Sequence, residues 1–425
     1  MSVSQHLKER NTKPVTVRLE ALGQRSETVR RANLSAIVHD LHAGGPASRS
    51  ELVARTGLTR SAIRALIGEL AAAGLAIEEP PEPQGTPGRP SPVVSLNPDG
   101  AVVLGLEIAV DTLAAAVVGL GGHVHERIRI DRPAGHTSVE AIAGDLAALA
   151  TDLRSRRPPG EIPVGVGVAV VGVVRRSDGF VSMAPNLGWR DVPLGEALAA
   201  ALDLDVPIQV ANDADLGALV EVRRGAAIGG DHVLFISGEY GVGGGLIVDG
   251  QPLTGVAGYG GEVGHLAVNP NGAACRCGSI GCWETEVGEG ALLRMAGRPP
   301  GGGRAEIDAL LRDAENGVPS ALSALDHVGR WLGIGLAGLV NVFNPRLIVL
   351  GGIFGRILPY VGRTLEDELD RRALAAPRRL VRIVPGMLRE DAPLLGAAEL
   401  AFEPLLIDPA GWLVPRRGRL EQASA

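Results

Sequence analysis

Between residues 33 and 70, apolar side chains recur every three or four positions, the spacing of one helix face. The stretch Asn33 to His42 places Leu34, Ile37, Val38 and Leu41 on one side. A second run, Ser50 to Thr56, has Ser48 or Ser50 available as its N-cap and Gly57 as its stop. A third begins at Thr59, a good N-cap, and turns Ile63, Leu66, Ile67 and Leu70 inward. A short helix, a glycine turn and a second amphipathic helix predict a helix-turn-helix unit. Leu75-Ala-Ile-Glu and Val93-Val-Ser-Leu then read as two short strands around a Pro/Gly-rich loop, a wing with Arg89 near its tip. Residues 1–28 are polar and basic with no sustained apolar period, and are expected to form a mobile arm.

Past Asn97-Pro-Asp-Gly100 the pattern changes to β-rich runs. These are Val102–Ile108, Thr112–Val118 and His123–Ile130, the last two separated by Gly119, Gly121 and Gly122. A helix over about 138–154 and a buried strand, Val164–Val171, follow. A second cycle opens at Asp231 with Val233–Ser237, Gly244–Val248 and a turn at Asp249-Gly250. It later adds a long apolar helix over about 320–342, the strand Leu347–Leu350 and Gly351-Gly352. Two similar β-β-β-α-β-α cycles predict two α/β lobes around a cleft.

The length of 425 residues suits two or three domains, and 45% hydrophobic residues can supply their cores. No apolar run reaches membrane-spanning length: 162–174 is too short, and Glu107 and Asp111 interrupt 101–120. With three cysteines and a polar N-terminus, the expected location is the cytoplasm.

Net charge is −7, but it is unevenly spread. Residues 1–92 carry 12 basic and nine acidic side chains, and the remainder 29 and 39. A mildly basic head on an acidic body fits a DNA-reading module joined to a ligand-sensing domain. Thr59, Arg60, Ser61 and Arg64 lie near the start of the third helix, where a recognition helix meets bases and phosphates, and Arg89 is placed to join them from the wing. The alternative is a bundle used for protein contacts, its arginines simply solvated.

All three cysteines fall within eight positions, at Cys275, Cys277 and Cys282, ten residues and more after His265. Gly272, Gly278 and Gly281 let the backbone fold back on itself. Three thiolates and an imidazole form a common closed set for a structural zinc ion. Reduced core thiols, or a disulfide with one cysteine left over, are the alternatives. Glu262 and Glu284 flank the set, and carboxylates with an imidazole suit a polyhydroxylated ligand.

The run Gly258-Tyr-Gly-Gly-Glu262-Val-Gly264-His265, continued by Cys275-Arg-Cys277-Gly278 and Gly281-Cys282-Trp-Glu284, resembles the ROK family of repressors, open reading frames and sugar kinases. The resemblance implies an α/β, two-lobed, actin-like ATPase (sugar kinase) fold over about 98–405. A winged helix-turn-helix precedes it over 29–97, and a tail follows over 406–425. It also implies that His265 and the three cysteines bind one zinc ion per chain, and that Glu262, His265 and Glu284 contact the sugar. Pro185-Asn186-Leu-Gly-Trp189 matches the family's substrate loop, and Ala211-Asn212-Asp213-Ala214 the segment bearing the kinase base. Taken alone, Asn212-Asp213 reads equally well as a helix cap, and Trp189 as a core residue.

The phosphate turns depart from the kinase pattern. Where kinases carry Asp-x-Gly-Gly-Thr, this chain has Glu107-Ile-Ala109-Val110-Asp111. Where Gly-Thr precedes the second glycine run, it has Glu239-Tyr240 ahead of Gly241-Val-Gly243-Gly244-Gly245. An acid beside a polyanion in a cleft costs on the order of several kcal/mol, so loss of kinase activity is expected. The resulting expectation is a sugar-responsive transcriptional regulator of the repressor branch. It would bind a pseudo-palindromic DNA operator as a homodimer or homotetramer, with a sugar or sugar derivative as effector and no membrane association. The alternatives are an ATP-dependent hexose kinase carrying a DNA-binding head, and regulation by a protein partner.

Overall fold

The computed structural model describes residues 26–80, 92–133, 135 and 137–413. Arg89 and most of the expected arm and wing loop lie outside these residues. The head consists of α1 (Ser26–Gly44), β1 (Ala47–Ser48), α2 (Arg49–Thr56), α3 (Arg60–Ala72), β2 (Ala76–Glu79) and β3 (Val93–Leu96), with sheet order β1-β3-β2. Helix α1 starts at Ser26, well before the apolar period begins. Its first turns are held by charge pairing: Arg30 bridges Glu27 and Glu69, and Arg31 reaches Asp408 at 3.0 Å. The expected arm therefore gives up residues 26–28 to helix. Ser48 is the cap of α2, in a full capping box: its Oγ accepts from the Glu51 N–H while Glu51 accepts from the Ser48 N–H.

The first lobe is a five-stranded sheet of β4 (Val102–Ile108), β5 (Thr112–Gly119), β6 (His123–Asp131), β7 (Val166–Val170) and β11 (Ile208–Asn212), in the order β11-β7-β4-β5-β6. Between β7 and β11 runs a small antiparallel sheet of β8 (Val173–Arg175), β9 (Phe180–Ala184) and β10 (Trp189–Val192). These strands are too short for their period to stand out in the sequence. Helices α4 (Val139–Ser155) and α5 (Leu194–Leu202) pack on one face of the large sheet.

The second lobe repeats the arrangement. Helix α6 (Asp213–Arg224) leads to β12 (Val233–Gly238), β13 (Val242–Val248), β14 (Gln251–Pro252), β15 (Leu347–Gly351) and β16 (Arg382–Pro385), ordered β14-β13-β12-β15-β16. Both sheets thus join three antiparallel strands to two parallel ones. Around the second sheet lie α7 (Trp283–Val287), α8 (Glu289–Met295), α9 (Gly303–Glu315), α10 (Pro319–Phe343), α11 (Gly352–Arg372) and α12 (Ala375–Leu380). The last helix, α13 (Ala392–Ile407), crosses back to the first lobe.

Helices α6 and α13 pack together between the two sheets, α13 on β4 and β7, and α6 on β12 and β13. Glycines permit this closeness: a Cβ on Gly167 would meet Ala397 O at 1.8 Å, and one on Gly396 would meet Leu216 O at 2.2 Å. The head shares a core with the same layer. Leu34, Ile37 and Leu41 of α1 cluster with Phe402, Leu405 and Leu406 of α13 and with Val103 and Val118 of the first sheet. The segment expected to be a tail therefore begins inside a core helix, and the turn Pro409–Trp412 also packs on α1.

Candidate functional site

His265 ends a short helical turn after β14, and the cysteine loop folds back so that Cys282 pairs with Ala267 in an isolated bridge. The ligand atoms of His265, Cys275, Cys277 and Cys282 all lie within 4.8 Å of one another. Cys277 Sγ and Cys282 Sγ are 3.7 Å apart, and Cys275 Sγ lies 3.8 Å from His265 Nδ1. A disulfide needs about 2.0 Å. A tetrahedral zinc ion with Zn–S bonds of about 2.3 Å sets its sulfurs about 3.8 Å apart. The donor set fits such an ion. Nδ1 faces the sulfurs, so Nε2 points away, toward Glu262 Oε2 at 3.9 Å.

That outward face borders a cavity of about 90 Å³ in the cleft between the lobes. Asn186, Asn212 and Asp213 line it from the first lobe and α6; Glu262, His265 and Glu284 line it from the metal loop. All six residues singled out in the sequence are therefore brought to one space. Asn212 is largely committed as the cap of α6: its Oδ1 accepts from the N–H groups of Ala214 and Asp215, and its Nδ2 donates to Gly172 O at 3.0 Å. It fixes the strand-to-helix corner that presents Asp213. Burial pushes the Asp213 carboxyl up to about 7, with nearby Glu262 adding to the effect. Burial and then Glu284 push Glu262 up to about 7 as well. Glu284 Oε1 lies 3.8 Å from His265 Nδ1 and 2.8 Å from Cys275 Sγ, which places it against the cysteine loop.

Arg276 was missed by sequence reasoning, although its place between two of the clustered cysteines was a signal. Its Nη1 donates to Asn186 Oδ1 at 2.7 Å and so spans the cleft. Trp189 is buried in the first lobe's core and donates from Nε1 to Thr137 O at 2.8 Å.

The ROK family model matches residues 103–403 of this chain. The chain belongs to the ROK family. The xylose repressor of Bacillus spizizenii is 27% identical over 383 residues, covering 89% of this chain and 97% of that protein. The glucokinase of Streptomyces coelicolor is 32% identical over 320 residues, covering 71% of this chain and 98% of that protein. A solved structure described as a ROK family transcriptional regulator, homolog of E. coli MLC protein, superposes with a TM-score of 0.70 at 25% identity. It covers 91% of this chain and 97% of its own.

In this ROK protein the altered phosphate turns gather acids in the cleft. Glu107 is buried and pushed up to about 7, partly offset by Arg129 Nη2 at 3.0 Å. Glu239 faces into the open cleft and is pushed up to about 8, by desolvation between the cleft walls first and then by Glu107, Asp213 and Asp111, with Arg304 opposing. A Cβ on Gly352 would meet Glu239 Oε1 at 2.7 Å, so this carboxylate spans the space before α11. Beyond it the cleft continues as a cavity of about 670 Å³. The retained glycines have a packing reason of their own. A Cβ on Gly243 would meet the Ala214 Cβ at 2.7 Å, and one on Gly245 would meet Ala214 O at 2.5 Å. They seat α6 against β13 whether or not a phosphate binds.

On the head, Thr59 accepts from the Ala62 N–H and caps α3, with its hydroxyl 3.1 Å from that of Ser61. Arg60, Ser61 and Arg64 are exposed, while Ile63, Leu66, Ile67 and Leu70 are buried beneath them. Gly68 continues the open face, with nothing within 4 Å of a Cβ built on it. Among the described residues neither arginine forms an ion pair. No described helix is long and apolar enough to cross a membrane.

Proposed function

We propose that this protein is a sugar-responsive transcriptional repressor that binds operator DNA through α3. The observation that carries the reading is the extent of the likeness. Similarity to the xylose repressor spans 89% of the chain, whereas the glucokinase is covered almost whole by 71% of it. A head with an arginine-bearing helix is what a repressor needs and a kinase does not. One helix reads one half-site, so a two-fold oligomer on a pseudo-palindrome follows from geometry. The wing, with Arg89, would add a backbone contact.

In this reading zinc holds His265 through Nδ1, leaving Nε2–H to donate to a sugar hydroxyl beside the acceptors Glu262 and Glu284. Asn186 and Asp213 meet the sugar from the opposite side. Asp213 accepts a hydrogen bond where a kinase would remove a proton. Closing the lobes on the ligand shifts α6 and α13, and with them the head bolted to α13. A sugar changes DNA affinity only by binding two conformations differently. Coupling of about 1–3 kcal/mol corresponds to roughly five- to 150-fold in operator affinity. The test is operator binding with and without the cognate sugar, for wild type and Glu284→Ala. The variant should bind DNA normally and ignore the sugar; an unchanged response would remove this cavity as the sensor.

Phosphorylation of a hexose is the second reading, favoured by the glucokinase likeness. Asp111 and Glu239 in the phosphate turns oppose it, because each adds a carboxylate where a polyanion would lie, whereas Glu107 only replaces the kinase aspartate. A coupled assay with ATP and a broad sugar panel should stay at background. Turnover abolished by Asp213→Asn would reverse the assignment.

A further inference from the structure

The cavity beside His265 opens outward into a chamber of about 820 Å³, far more than a monosaccharide ring fills. Asn186, Arg276 and Glu284 line both spaces, whereas Asp213 and Glu262 line only the inner one. Three exposed arginines line the outer chamber: Arg190 from β10, Arg276 from the cysteine loop and Arg294 from α8. Among the described residues none of the three has an ion-pair partner. Arg276 donates only to the neutral Asn186, Arg294 makes a long 3.4 Å contact to Thr285 O, and the Arg190 side chain has no hydrogen bond. Other arginines of the cleft are neutralised: Arg129 by Glu107, Arg304 by Glu390 and Arg356 by Asp308. The chamber also carries two carboxylates: Glu284, held against the cysteine loop with Oε1 2.8 Å from Cys275 Sγ, and Glu289, which accepts from the Gly303 N–H at 3.0 Å.

We propose that the effector is an acidic sugar, whose phosphate or carboxylate is held in the outer chamber by Arg190, Arg276 and Arg294. The proposal rests on the inner cavity being the sugar site. A ring with one hydroxyl at Asp213 turns its opposite end toward the arginines, keeping the anion away from Asp213 and Glu262. Guanidinium forks match the oxygens of phosphate and carboxylate, and three unpaired ones around a single chamber give an anion several bidentate options.

The test is calorimetric titration of the full-length protein with a hexose, its 1-phosphate, its 6-phosphate and the corresponding hexuronate. At low salt one acidic form should bind about tenfold or more tighter than the neutral sugar, an advantage that shrinks as salt screens it. The position and nature of the preferred group identify the source of the anion. In the double variant Arg190→Gln/Arg294→Gln, its fold checked by a thermal melt, the ratio of acidic to neutral affinity should fall to near one. Equal affinity for neutral and acidic forms in the wild type, or an advantage that survives in the double variant, overturns the proposal and leaves the sugar reading standing. Failure of every sugar to bind, in protein that still binds its operator, overturns both.

Discussion

His42 on α1 donates from Nε2 to Glu399 on α13 at 3.0 Å, with both residues almost fully buried. The other ring nitrogen, Nδ1, accepts from the Gly121 N–H at 3.1 Å, so the pair of bonds requires the Nε2–H tautomer. Arg223 and Arg224, the last residues of α6, close on the same carboxylate, and Arg224 also donates to Gly121 O at 2.6 Å. Burial alone would raise the Glu399 pKa. His42 and the two arginines outweigh it and hold the carboxyl well below the usual range. The other end of α6 is the Asn212–Asp213 corner of the inner cavity. One 12-residue helix therefore runs from the proposed sensor to the root of the head.

Glu399→Gln should destabilise the fold by roughly 3–5 kcal/mol, because it leaves two guanidinium groups facing a neutral amide in a buried site. Urea denaturation measures this. A loss below 1 kcal/mol would show that water already relieves the cluster.

Cys277→Ser should abolish stoichiometric zinc, measured by elemental analysis of protein purified without chelator. Because metal binding free energy is folding free energy at such a site, the variant should also melt lower and bind sugar more weakly. Wild-type protein that contains no zinc would refute the assignment.

Stability should fall as pH rises from about 5 to 8. Asp213, Glu262 and Glu107 titrate near 7 and Glu239 near 8 in the folded chain. Unfolded carboxyls titrate near about 4. Between these values the folded state binds more protons, so each step upward in pH favours unfolding. Glu399, shifted the opposite way, loses its contribution only in more acidic solution. Glu239→Gln should raise the melting temperature at pH 8 and leave it nearly unchanged at pH 5. An equal effect at both pH values would show that Glu239 is not protonated on folding.

Gly245→Val should cost at least about 1–3 kcal/mol through overpacking, since even its Cβ would overlap Ala214 O and the Ala218 Cβ. The same change should impair the sugar response by displacing α6. A calorimetric melt and an operator titration with sugar check the two effects separately.

Arg60→Ala and Arg64→Ala should each weaken operator binding by roughly 1–3 kcal/mol if they read bases. Competition with scrambled DNA separates base reading from phosphate contact. A head deletion that still binds the operator would remove the assignment.

What the chain determines by itself is whatever depends on neighbours within a few turns. The inward face of α3 is legible because Ile63, Leu66, Ile67 and Leu70 follow one period. The strands β4 and β5 are legible because they are long and apolar, and β6 because glycines at 119, 121 and 122 set it off from β5. The metal set is legible because its four donors fall within 18 positions, and a loop that short has few ways to arrange them. The early start of α1 was hidden, because ion pairs to Glu69 and Asp408 replace apolar period there. Packing of the two lobes decided the rest. It joined His42 to a residue 357 positions away and Arg276 to one 90 away. It also placed the unpaired arginines of β10 and α8 around one chamber. Such contacts leave no periodic trace in a sequence, since each depends on how two sheets and the helices between them come to rest against each other.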